Sequence, residues 1–166
     1  MTRRQLRERA RSLFLDDANA FGCAETSFLT LRDAFAVAGG LDSSVTMALN
    51  GGVAYQGEVC GAITGAAVAA GLIAGRLEPD HAAAKRRARA ATAWLVEDFR
   101  REFGSLRCRE LIGRDIKTAE QHDEFIASGI WKTVCMRQIE FAVDRLGSLM
   151  DEVDPAAVAA NEESRP

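Results

Sequence analysis

Residues Gly51 to Gly75 read GGVAYQGEVCGAITGAAVAAGLIAG. A glycine-rich loop runs into Cys60, and from there to Gly75 the chain carries no charge, with Gly, Ala and Thr on every face. Glycine costs a helix about 1 kcal/mol relative to alanine, so Gly61, Gly65 and Gly71 suit an exposed helix poorly. They suit one whose neighbours approach its backbone closely, where tertiary packing makes up for weak propensity. The stretch is expected to be a central buried helix with a cysteine at its N-terminal end.

A membrane span is the competing reading. The run sits at the short end of the ~17–25 apolar residues a span needs. Gly61/Gly65 and Gly71/Gly75 also match the small-xxx-small spacing of membrane dimers. But Ala and Gly drive insertion weakly, no second span is present, and the remaining chain is amphipathic. The buried helix is the better reading.

The chain has 166 residues, enough for one domain with a real core. A hydrophobic content of 48% and a net charge of −3 are those of a globular protein without a basic nucleic-acid surface. The N-terminal MTRRQLRERARSLF is basic but has no apolar core, so it reads as neither signal peptide nor anchor, and the cytoplasm is the default location. In that compartment four cysteines point to metal binding, catalysis or simple burial rather than to a disulfide framework.

Helical periodicity dominates elsewhere, and no alternating strand pattern stands out. A first helix is expected over Thr2–Asn19, with Leu6, Ala10, Leu13 and Phe14 inward. A second spans Cys23–Val37, with Cys23 on its inner stripe and Gly39-Gly40 as a C-terminal cap. Asp42-Ser43 caps a short helix to Leu49. Asp80 caps a charged helix to Phe103 whose inner face is Ala84, Ala88, Ala91, Leu95 and Phe99. A short helix is read over Leu106–Ile112, and Gly113–Gly129 shows no decipherable pattern. The last helix runs from Ile130 to about Val153, with Cys135, Ile139, Ala142, Val143 and Leu146 at helical spacing. The expected fold is all-α, a bundle of five or six helices forming a single domain over 1–153, with a flexible tail over 154–166.

Cys23, Cys60, Cys108 and Cys135 each fall on a separate predicted helix or at its start, and no CxxC pair occurs. A shared site must therefore be assembled by the fold. Periodicity alone does not separate a shared site from four independent core cysteines, and because free cysteine is among the most buried residue types, the inert-core reading is favoured on the residues alone.

Four blocks carry a family resemblance: Gly22-Cys23-Ala24-Glu25, then Glu58-Val59-Cys60-Gly61-Ala62-Ile63-Thr64-Gly65-Ala66, then Phe103-Gly104 with Cys108-Arg109-Glu110-Leu111, then Cys135. Over roughly Leu13 to Leu146 the chain resembles the C-GCAxxG-C-C family, although the central block has its cysteine before the glycine. The resemblance implies a small helical redox-active protein. A related domain in split-Soret cytochromes accompanies an iron–sulfur cluster, which makes these four cysteines the implied redox-active and metal- or cofactor-binding residues. Without a CxxCH no c-type haem is attached here.

Local chemistry points the same way at Cys60. Its place at a helix N-terminus, among unpaired N–H groups and the positive dipole end, should ease ionisation of the thiol. The glycines before it leave room for a bulky partner. The loop matches neither the dinucleotide fingerprint nor the P-loop. Converging thiolates can hold an iron–sulfur cluster or a tetrahedral zinc ion, or two of them can cycle through a disulfide.

Other residues read more plainly. His81 should be solvated, and His122 is better read as a surface residue than as a fifth ligand or proton relay. The Lys85–Arg89 run is an exposed helix face that could meet an acidic partner. Glu25 and Glu58, two residues from cysteines, are either solvent-facing or thiol-tuning. Tyr55 either bonds a sulfur or packs. The leading expectation is a cytoplasmic redox protein whose four cysteines bind an iron–sulfur cluster and pass electrons to an unidentified redox partner. A metal-free thiol–disulfide enzyme or sensor and a helical interaction module with inert cysteines are the alternatives. Neither nucleic acid nor membrane is an expected partner, and the glycine-rich surface allows a homodimer.

Overall fold

The computed structural model describes residues 1–37 and 41–152. Seven α-helices follow one another: α1 (Arg3–Phe14), α2 (Cys23–Ala34), α3 (Gly61–Leu77), α4 (His81–Phe103), α5 (Cys108–Ile112), α6 (Ala119–Ser128) and α7 (Met136–Glu152). Two 3-10 turns, Ser43–Val45 and Met47–Leu49, lie between α2 and α3, and a π-helical turn, Trp131–Cys135, leads into α7. The fold is all-α, as the periodicity requires. The Gly39-Gly40 cap, Val153 and the tail lie outside the described residues.

α3 is the central helix. It packs against α2, α4 and α7, and Ala62, Ile63, Ala66, Ala70, Ile73 and Ala74 are almost wholly enclosed. Its small side chains let α2 come very close. A Cβ on Gly65 would stand 2.1 Å from the Ala24 carbonyl oxygen, and one on Gly61 would stand 2.3 Å from the Cys23 sulfur. Glycine is needed at both positions by its neighbours rather than by its own backbone. Gly71 differs from the expectation: it is exposed, and a Cβ there would meet nothing within 4 Å. Among the described residues no helix is long and apolar enough to cross a membrane.

Several boundaries differ from the sequence reading for local reasons. α1 opens on a capping box between Thr2 and Gln5 and stops at Phe14, five residues early, where Asp16 and Asn19 form a turn. α5 begins at Cys108 rather than Leu106, because Leu106 and Arg107 pair with the chain before α3 through an antiparallel bridge between Val59 and Arg107. The segment without a decipherable pattern contains α6, which starts on a Thr118/Gln121 capping box and ends on Gly129 in the left-handed region.

Candidate cysteine site

Three of the four cysteines stand at helix beginnings. Cys23 is the first residue of α2, Cys60 caps α3, and Cys108 is the first residue of α5. The bridge at Val59 brings two of these ends together: the Cys60 N–H donates to the Leu106 carbonyl at 2.8 Å, and the Cys108 N–H donates to the Glu58 carbonyl at 2.7 Å. Cys23 reaches the same place because its sulfur lies over the bare Cα of Gly61. Cys135 arrives from the other side, at the end of the π-helical turn, whose widened winding is a common device at functional sites.

The result is a cavity of about 190 Å³ with Cys23, Cys108 and Cys135 in its wall. Cys60 does not line it; this residue is 3% exposed, and its sulfur donates to Oε1 of Gln138 at 3.6 Å. All four cysteines are free thiols. They lie near enough for the charge of one to disfavour ionisation of another, so the fold does assemble them.

Cys60 corrects the expectation of an easily ionised thiol. Burial pushes it well above the ordinary thiol range, the neighbouring cysteines push it further, and the opposing N–H of Ala62 is the smaller influence. Desolvation therefore outweighs the helix terminus. Burial likewise raises Cys135, and it lifts Cys108 to about 12. It raises Cys23 too, against backbone N–H groups of Gly51, Ala24, Cys23 and Gly61 that favour the thiolate. As free thiols the four are protonated at neutral pH.

The glycine-rich loop shapes the cavity rim. Gly51, Gly52, Val53, Ala54 and Tyr55 all have φ between 50° and 71°, a left-handed turn in which β-branched Val53 is a conformational outlier. Bonds from Gly57 N–H to Gly51 O and from Glu58 N–H to Gly52 O, both 3.0 Å, close it. The turn sets Tyr55 edge-on against His122, with ring centroids 5.0 Å apart. Both residues line the cavity, so His122 is half-buried at the site rather than a plain surface residue. Tyr55 packs on that ring, and burial raises its phenol.

Glu25 is not solvent-facing either. It is buried, and its Oε2 accepts from the Gly22 N–H at 2.9 Å and from Asn50 Nδ2 at 2.8 Å. Asn50 Oδ1 in turn accepts from the Ala24 N–H at 2.9 Å and sits 4.0 Å from the Cys23 sulfur. Glu58 is half exposed and pairs with Arg107 and Arg109. His81 is exposed, as expected. In the Lys85–Arg89 run, Arg87 is tied inward to Glu78 and to the Met150 carbonyl, so the run is not wholly a solvent-facing surface.

Asn50 and Gln138 are the residues that the sequence reading passes over. Gln138 carries a signal, being polar and buried three residues after Cys135 on the apolar stripe of α7. Asn50 carries none, since the partners that tie it to the site, Ala24 and Glu25, lie in a helix remote in sequence.

No curated protein and no solved structure matches the chain. The family model described as "Putative redox-active protein (C_GCAxxG_C_C)" matches residues 21–149, a span that contains all four cysteines and the glycine-rich loop, Tyr55 and His122 of the cavity rim. The chain belongs to that family.

Proposed function

We propose that the protein is a redox carrier that binds an iron–sulfur cluster at the cysteine cavity and exchanges electrons with a partner protein. The observation that carries this reading is the cavity itself, walled by three cysteines from three separate elements, with a fourth near enough to feel their charge. Among the described residues no three His, Cys, Asp or Glu side chains gather around one point as a single metal ion requires. A cluster fills a space between its ligands, and a cavity lined by three cysteines offers it an all-sulfur donor set.

When bound, a cluster supplies one-electron redox chemistry at a potential set by burial and by hydrogen bonds to sulfur. The chain's part is to supply thiolates, exclude water and present N–H groups. The beginning of α2 directs backbone donors at Cys23, and these favour its thiolate once a metal offsets the cost of burial. Disulfide chemistry is less well supported, because an attacking cysteine must be ionised and burial opposes that at all four.

The test is anaerobic purification followed by reconstitution with iron and sulfide. Iron, acid-labile sulfide and a brown absorption band are expected in the wild type and lost in Cys108→Ala. Wild-type protein that remains metal-free and colourless after reconstitution would overturn the cluster.

A further inference from the structure

The four cysteines are not equivalent. Cys23, Cys108 and Cys135 face the cavity, whereas Cys60 stands behind it with its proton directed at the buried amide of Gln138. In this arrangement Cys60 is engaged as a thiol donor to an amide oxygen away from the cavity wall. The cavity is also lined by Tyr55 and His122, whose rings meet edge-on. Among the described residues neither the Tyr55 hydroxyl nor the His122 ring makes a hydrogen bond, although both could donate one.

From this asymmetry, and resting on the cluster reading above, we propose that Cys23, Cys108 and Cys135 are the protein ligands, that Cys60 remains a thiol held by Gln138, and that the coordination position left open takes a small oxygen- or nitrogen-donor molecule beside Tyr55 and His122. The wall of the cavity sets the class of that molecule. Among the described residues it includes the carboxylate of Glu25 and the amide of Asn50 but neither Lys nor Arg, so a multiply charged anion such as a phosphate ester finds no counter-charge among them. The volume of about 190 Å³ admits only something small once metal and sulfide occupy part of it. The site is then one where a neutral or singly charged molecule meets the redox centre directly, rather than a sealed electron relay.

The experiment compares the full-length wild type with Cys23→Ala, Cys60→Ala, Cys108→Ala and Cys135→Ala after anaerobic reconstitution. Cys60→Ala is expected to keep wild-type iron and sulfide and an unaltered EPR spectrum, while the other three lose at least tenfold in iron. Carbon-13 cyanide, the probe for the open position, is expected to broaden the EPR signal of the reduced wild type. If Cys60→Ala fails to fold by circular dichroism, Cys60→Ser carries the same expectation. Loaded wild type beside an empty but folded Cys60 variant overturns the three-ligand assignment alone. Loaded wild type whose signal cyanide leaves unchanged overturns the open position. Wild type that takes up no iron overturns the cluster reading, and this inference with it.

Discussion

The two ends of α3 use the same residue type for different purposes. At the N-terminal end Gly61 and Gly65 lie under α2, one against the sulfur of Cys23 and the other against the backbone of Ala24. At the C-terminal end Gly71 and Gly75 face outward, and a Cβ on either would meet nothing within 4 Å. Only the first pair builds the site. It lets the beginning of α2 descend onto the beginning of α3, which is how two cysteines far apart in sequence come to share one corner of the fold. The second pair weakens the helix without a contact in return.

The largest expected effect separates the two ends. Gly65→Ala forces a carbon against a backbone carbonyl that has no flexible end to move, so α2 must lift away. Overpacking of this kind costs about 3 kcal/mol at the upper end of its usual range. Gly61→Ala meets a side-chain sulfur instead, and it should displace Cys23 more than it unfolds the bundle. Chemical denaturation and iron uptake measured together check this: Gly65→Ala should lose stability and iron, and Gly61→Ala chiefly iron. A Gly65→Ala protein of unchanged stability would mean that α2 and α3 do not pack in this way.

A smaller effect comes from the thiols that this packing buries. Cys108 has its ionisation raised from 9.0 to about 12. Between those values the folded metal-free chain holds a proton that the unfolded chain releases, so stability is full below pH 9 and falls as pH rises. By about pH 10.5 the loss from this one group should be about 2 kcal/mol. Denaturation midpoints of metal-free wild type and Cys108→Ser, taken at pH 8 and pH 10.5, should show a steeper fall in the wild type. Equal slopes would place Cys108 in solvent. The metal-loaded protein should lack this contribution, because its ligands are already thiolates.

How much of this is legible in the sequence depends on whether a signal is local. The stripes of α1 and α4 and the burial of Ala62, Ala66 and Ile73 follow from period and composition, and the structure repeats them. α6 is legible in principle through Thr118, Gln121 and Gly129, but its single buried residue, Phe125, leaves no apolar stripe to reveal it. At the site, the four cysteines can be read as candidates because their types and order are written in the chain. Their state cannot, because Cys60 sits where a helix terminus and desolvation oppose each other and only the depth of burial decides. The left-handed turn at Val53 and the partnership of Asn50 with Ala24 and Glu25 depend on contacts that no sequence period encodes.

The smallest effect has the opposite sign, and it tests the other end of α3. Gly71 is an exposed helical residue with open space where a side chain would stand. Alanine there removes backbone freedom from the unfolded chain and meets no neighbour in the folded one, so Gly71→Ala should stabilise the protein by about 1 kcal/mol. Iron uptake should not change, since the substitution lies toward the far end of the helix from Cys60. The denaturation midpoint is the measurement, made beside that of Gly65→Ala. A loss of stability at Gly71 would mean that something covers that face in solution, with a second copy of the chain the simplest occupant, and a midpoint that then rose with protein concentration would identify it. A gain leaves the contrast intact: within one helix, glycine is a requirement where the cysteines meet and a weakness where they do not.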